Sequence, residues 1–477
     1  MEKQPFYITT PIYYVNSDPH IGSAYTTVAA DVLARLHRKR GDDVFFLTGT
    51  AEHGSKIAES AELAGEEPQA FVDRMSLRFK DAWAKLDIHP TDFIQTTEKR
   101  HEKAVNLFFE KLKASGDVYE GDYEGLYCVG CEAFKKDSEL VDGNCPLHNR
   151  KPELVKERNW FFKLSAYGDR VLEKINSNEL VILPEGRKNE VVSFINQGLE
   201  DIAISRKTAK FALPLPWDPE QTIYVWLDEL FNYATAIGYE SDRAQFDTYW
   251  PVNYHVIGKD ILKFHGIIWP ALLLAIGEKV PQAVFAHGFF TVNGQKMSKT
   301  LGNVIDPVEL AEKYGSDAVR YFFLREVPFG QDGDVSIEKF TARYNADLAN
   351  DLGNLLMRVT TMVERYQWGK ADLTTPSPIS LSGAEAAFLE FDFLKGLTQV
   401  WEALSWGNQI INEKEPWNLA KDNPEALEAL LNDLVAVLLS AADVLEPIMP
   451  KATARINEVL RAETIRKPEP LFQKIDV

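Results

Sequence analysis

At 477 residues the chain is too long for one compact core, and two to four folding units are expected. Hydrophobic residues make up 45% and charged residues 26%, which is ordinary for a globular protein, and no run of about 18 apolar residues offers a membrane span. Taken alone, the net charge of −19 argues against a partner as acidic as a nucleic acid, although a local basic face is compatible with an acidic whole.

The start, Met1-Glu2-Lys3-Gln4-Pro5, lacks the charged, apolar and small-residue succession of a signal peptide. Three cysteines are too few, and odd in number, for a secreted disulfide scaffold. The expectation is a soluble cytoplasmic protein.

Phe6-Tyr7-Ile8-Thr9 and Ile12-Tyr13-Tyr14-Val15 are β-branched and aromatic, as in a strand. Ile21, Ala24, Tyr25, Val28, Val32, Leu33 and Leu36 then recur at helical spacing, closed by Gly41. Val44-Phe45-Phe46-Leu47-Thr48 suits a strand buried on both faces, and a second helix starts near Ser55. This βαβ beginning predicts an α/β fold with a parallel sheet. Residues 119–165 carry all three cysteines and little helical period, which predicts an insertion with its own small core. Strand–helix alternation resumes near Thr222-Ile223-Tyr224-Val225-Trp226 and continues through Tyr254-His255-Val256-Ile257-Gly258. From about Asn345 the pattern is helical to the end, apart from a Thr-, Pro- and Ser-rich loop around Thr374 to Ser382. There is no internal repeat.

Two short motifs invite phosphate. His20-Ile21-Gly22-Ser23 opens the first helix, where free N–H groups and the helix dipole favour an anion; alone it is equally a plain helix cap. Lys296-Met297-Ser298-Lys299-Thr300 follows the tight-turn pair Asn293-Gly294, so a hairpin should present this basic loop. Two lysines and two hydroxyls suit a polyphosphate, and a solvated basic loop is the plain alternative.

Cys128-x2-Cys131 followed by Cys145-x2-His148 matches a closed tetrahedral zinc site of three thiolates and one imidazole. Four protein ligands leave no open position, so the one metal is expected to be structural. The alternative is a set of buried thiols.

As a pair, the His-Ile-Gly and Lys-Met-Ser-Lys-Thr motifs resemble the two signatures of class I aminoacyl-tRNA synthetases. Longer matches resemble the methionyl-tRNA synthetase family: Thr10-Pro11-Ile12-Tyr13-Tyr14-Val15-Asn16, Asp201-Ile202-Ala203-Ile204-Ser205-Arg206, Tyr224-Val225-Trp226-Leu227-Asp228, Ile257-Gly258-Lys259-Asp260-Ile261-Leu262 and Phe285-Ala286-His287-Gly288. The likeness runs from about Pro5 to the C-terminus. It implies a Rossmann-like catalytic domain with a zinc-knuckle insertion, followed by an α-helical anticodon-binding domain. The implied boundaries are 1–116 and 216–299 for the catalytic halves, 117–215 for the insertion, 300–345 for a stem-contact segment and 346–477 for the anticodon domain. The implied substrates are L-methionine, ATP with Mg2+, and tRNA(Met).

By resemblance, His20, Ser23, Lys296 and Lys299 act on the phosphates, and Gly22, Gly258 and Asp260 lie along ATP. Ile12, Tyr14, Trp226, Tyr233 and His287 would wall the methionine pocket, where sulfur packs well against rings. Arg206 would pair with the substrate carboxylate. Asn354, Arg358 and Trp417 would read the anticodon; two hydrogen-bonding side chains four apart on one helix face and an indole suit unpaired bases. Without the resemblance, Trp417 reads as a core anchor behind a helix-starting proline. The shorter relatives lacking a C-terminal dimerisation appendix suggest a monomer. No Gly-x-Gly-x-x-Gly follows the first strand, which disfavours an unrelated dinucleotide-binding enzyme.

The chain departs from the family pattern at three positions. Ser23 stands where a second histidine is usual. Ala51, in Thr48-Gly49-Thr50-Ala51-Glu52-His53-Gly54, stands where an aspartate binds the α-ammonium of methionine. Losing that charge-assisted bond costs roughly 2–4 kcal/mol. Glu229 stands where alanine is usual. Three outcomes are open: Glu229 anchors the ammonium instead, Glu229 changes which amino acid fits, or it points away and activation is weakened. The last two describe a ligase for another amino acid and a tRNA-binding or sensing relative.

Overall fold

The computed structural model describes residues 3–130, 133–135, 137–146, 149–207, 209–296 and 305–475. Two compact units are present, the first of Met1–Pro19, His37–Ala84 and His89–His287, the second of His20–Leu36, Lys85–Ile88 and Gly288–Val477. Among the described residues no helix is long and apolar enough to cross a membrane.

The first unit is built on six parallel strands: β1 (Pro5–Tyr14), β2 (Asp43–Ala51), β3 (Asp92–Gln95), β4 (Val181–Leu183), β5 (Tyr254–Gly258) and β6 (Ala283–His287). Their order is β3-β2-β1-β5-β6-β4. β1 and β2 are near-continuous apolar runs because both sheet faces are covered. The sense of the strand order changes between β1 and β5, which in open α/β sheets is where ligands bind. The register sharpens this. β1 meets β5 at Ile8–Tyr254 and Thr9–His255, whereas with β2 it runs on to Tyr14–Ala51. Its alignment with β2 shifts between Thr9 and Ile12, across Pro11, which has no N–H to give the ladder.

The cysteine-bearing insertion forms a separate antiparallel sheet in the order Ala133–Lys135, Val118–Cys128, Glu153–Phe162, Ile202–Ala203. In the second unit, Phe290–Val292 and Gln295–Lys296 make the expected hairpin, with Asn293 and Gly294 at φ 53° and 72°. Helices dominate from Pro307 onward, and Leu352, Leu355, Leu356, Val359, Leu434 and Leu438 are buried in the helical region. Arg320, fully buried, donates to the carbonyls of Leu86, Asp87, Pro447 and Ile448 and pairs with Asp31 at 2.8 Å.

Candidate active site

At the carboxyl ends of β1 and β2, Ile12 and Ala51 are buried in one apolar cluster with Leu227, Tyr233, Ile257 and Ala286, and Tyr14 and Trp226 pack against it. Tyr14 meets Trp226 edge-on at 6.2 Å, and Trp226 stacks on Phe264 at 4.3 Å. The sheet ends at Gly258 and buried His287, paired in register across β5 and β6. Asp260 follows in an exposed turn. Ile12, Tyr14, Trp226 and Tyr233, expected around a thioether, thus all belong to or pack against this one core cluster.

Trp226 and Glu229 lie on a six-residue helix, α1 (Val225–Leu230), together with Asp228. Asp228 is fully enclosed, and its two carboxylate oxygens meet His53 Nδ1 at 2.7 Å and His101 Nε2 at 3.0 Å. Burial alone would raise the Asp228 pKa; the two histidines outweigh it and hold it far below the usual carboxylate range. Burial likewise disfavours a charged His53, but Asp228, Glu52 and Glu102 lift its pKa above the ordinary imidazole value. This pair ties the end of β2 to α1.

The carboxylates of this region have different commitments. Glu52, next to Ala51, accepts from Thr50 Oγ1 at 2.7 Å, from Gln95 Nε2 at 3.0 Å and from Thr97 Oγ1. Asp228 holds its two histidines. Glu229 is buried, and its charge, after burial itself, helps hold the Tyr233 phenol above its ordinary pKa. Tyr233 Oη in turn lies 2.7 Å from His265 Nε2, and burial pushes His265 down to about 4, so the neutral ring accepts from the phenol.

Arg206, expected to pair with the substrate carboxylate, has protein partners as well. Its Nε donates to Glu157 of the insertion at 3.1 Å, both side chains are buried, and the guanidinium stacks 4.0 Å from the Tyr127 ring. In the insertion, Cys128 and Cys145 are buried, while Cys131 and His148 lie outside the described residues. No group of three metal-binding side chains is assembled among the described residues, two of the four expected ligands being beyond them.

In the second unit, His20 stands exposed at the start of α2 (Ile21–Lys39). Gly22 N donates to His20 Nδ1 at 3.0 Å, which places the proton of a neutral ring on Nε2. Gly22 leaves room for this fold-back: a Cβ there would sit 2.9 Å from His20 Cε1, so the ring would have to shift. Ser23 Oγ donates to His20 O at 2.8 Å and accepts from His20 N at 3.1 Å, so it caps the helix from within. Lys296 ends the hairpin strand, and Lys299 lies outside the described residues. Asn354 and Arg358 lie on α3 (Asn354–Tyr366), with Arg358 donating to Asn412 at 2.7 Å and Asn408 at 3.4 Å. Trp417, 46% exposed, is no core anchor.

Sequence reasoning assigned no role to His53, His101 or Asp228. His53 and Asp228 stood inside quoted motifs, but His101 is 127 residues from Asp228 and carries no local signal.

The family model for class I tRNA synthetases of the M type matches residues 6–152 and 138–360. A methionine–tRNA ligase of Thermotoga maritima is 42% identical over 99% of this chain and 80% of its own length. That of Streptomyces coelicolor is 44% identical over 96% and 90%. The methionyl-tRNA synthetase of Mycobacterium tuberculosis, solved in complex with methionyl-adenylate, superposes with a TM-score of 0.92 at 38% identity, covering 98% of this chain and 99% of that one. The chain belongs to the class I tRNA synthetases of the methionine type.

Proposed function

We propose that this protein activates L-methionine with ATP to methionyl-adenylate and transfers the methionyl group to tRNA(Met). The observation that carries this is the apolar, aromatic-walled cluster of Ile12, Tyr14, Trp226 and Tyr233 at the switch point of the parallel sheet. The methionine carboxylate attacks the α-phosphorus of ATP and pyrophosphate leaves; a ribose hydroxyl of the tRNA terminus then takes the acyl group. Positioning and charge stabilisation suffice, with no covalent enzyme intermediate. His20, through its Nε2–H, and Lys296 and Lys299 stabilise the phosphates, while Gly258 and Asp260 lie along the nucleotide, which binds as its Mg2+ complex. Ser23 contributes by fixing the His20 backbone.

Glu229 anchors the substrate ammonium in place of a residue-51 carboxylate. Position 51 carries no carboxylate, and Glu229 supplies one, buried on the helix that also carries Trp226. Arg206, tied to Glu157, acts by fixing the insertion to the strand at Thr222.

Cys128, Cys131, Cys145 and His148 hold one structural zinc. Thiolates and imidazole are the donor set that zinc prefers, and burial of Cys128 and Cys145 excludes water from it. The metal supplies cross-linking, not catalysis. Asn354, Arg358 and Trp417 read the anticodon in a helical domain over 346–477, and the protein acts in the cytoplasm, where tRNA is charged. The test is aminoacylation of tRNA(Met) transcript with labelled methionine. Charging that depends on ATP and on the anticodon is expected; no charging with any amino acid would overturn the reading.

A further inference from the structure

The helical region carries a second aromatic surface. Beyond α3 the chain turns through Trp368 and Gly369, at φ 54° and 76°. The turn is pinned: Gly369 N donates to Val363 O at 3.1 Å, and Ile465 N donates to Gly369 O at 2.8 Å. A left-handed backbone is unfavourable for a bulky residue. The Trp368 ring, 88% exposed, gains nothing from the core in return. Beside it lies a cavity of about 330 Å³, lined by Tyr366, Gln367, Trp368, Ala420, Pro424 and Glu428, among others.

Three observations say what this cavity suits. Ala420 is one turn along from Trp417 on α4 (Pro416–Asp422), and residues three apart share a helix face, so the cavity continues the surface of Trp417. Arg365 lies 5.3 Å from the Tyr366 ring, and Lys370 donates to the Glu463 carbonyl at 2.6 Å; these side chains flank a site whose lining contains one carboxylate, Glu428. The Gln367 side-chain oxygen is buried with no hydrogen-bond partner among the described residues, an unmet acceptor on a residue of the cavity wall.

We propose that Trp368 and its cavity form a stacking site for an unpaired nucleotide of the tRNA, adjacent to the base that Trp417 takes. Rings with flanking cations bind unpaired bases in this way, the ring face meeting the base and the cations meeting phosphate. The proposal rests on the tRNA-charging reading.

The test is the affinity of an anticodon stem–loop RNA of tRNA(Met), measured by fluorescence anisotropy at fixed salt, for Trp368→Ala and Trp368→Phe. Loss of one stacked base is expected to weaken binding by about 5- to 100-fold in the alanine variant, with most of it recovered by phenylalanine. Because Trp368 is exposed, folding of both variants is checked by circular dichroism. Unchanged affinity in Trp368→Ala, with affinity lost in Trp417→Ala, would overturn the proposal and leave the charging reading intact. Unchanged RNA affinity with a shift in oligomeric state would assign the cavity to a protein contact and overturn it too. Failure of the unmodified protein to charge tRNA would instead fall on the underlying reading.

Discussion

Replacing Asp228 by asparagine tests the frame that holds the amino-acid pocket. The carboxylate is enclosed and meets two imidazoles at 2.7 and 3.0 Å. Breaking a buried ion pair while leaving a stranded charge costs about 3–5 kcal/mol. Here His53 can lose its proton, which leaves chiefly the loss of charge-assisted hydrogen bonds, about 1.5–3 kcal/mol. In a chain of 477 residues that lowers Tm by roughly 1.5–3 °C. The pH dependence distinguishes this account from simple misfit. His53 has a folded pKa above its ordinary 6.5, so its contribution is fully present below 6.5 and is lost as pH rises through the folded value. Asp228 has a depressed pKa, so its contribution is present above its ordinary 3.8 and is lost only as pH falls through the folded value. The gap in Tm between the unmodified protein and Asp228→Asn should therefore be widest between about pH 5 and 6.5, and should narrow toward pH 9. Thermal unfolding followed by circular dichroism across this range measures it. A gap that does not vary with pH would refute the charged pair.

Arg320→Met leaves four carbonyl groups in the interior of the second unit without their donor and Asp31 with Arg35 as its remaining ion-pair partner, and should cost about 3–5 kcal/mol by denaturant unfolding; a loss under about 1 kcal/mol would contradict the clamp. Gly22→Ala drives a methyl into the His20 ring, and amino-acid activation should slow by tenfold or more in kcat, with the KM for methionine held; an unaltered rate would remove His20 orientation from the mechanism. Elemental analysis should find one zinc per chain, and Cys128→Ser should lower that content and the thermal stability together; a metal-free, equally stable protein would contradict the zinc assignment.

How far the sequence could be read depended on how local each signal was. β2 is a short apolar run buried on both faces, and the Asn293–Gly294 hairpin needs only two residues that accept positive φ, so both were legible. The run Thr222–Trp226 marked where alternation resumes. That the strand ends at Ile223 and a helix starts at Val225 was not visible, because a few apolar residues fit either period. The proposed pocket wall rests on family resemblance: one aromatic residue on an apolar strand looks like any other core residue. The Asp228 clamp and the Arg206–Glu157 pair join residues far apart in the chain, and nothing in their local sequence announces the partner. Trp417 shows the opposite failure, since composition favours burying an indole that the fold leaves half-exposed.

The central claim is activation of methionine with Glu229 as the ammonium anchor, and ATP–pyrophosphate exchange tests it most directly. The assay runs the common amino acids against the unmodified protein, Glu229→Ala, and Glu229→Ala combined with Ala51→Asp. The account predicts exchange with methionine above all others and a fall in kcat/KM of about 30- to 1,000-fold in Glu229→Ala, from the loss of roughly 2–4 kcal/mol. It also predicts substantial recovery when an aspartate is restored at position 51. Methionine exchange unaffected by Glu229→Ala, or a preference for another amino acid that disappears with Glu229, would contradict it.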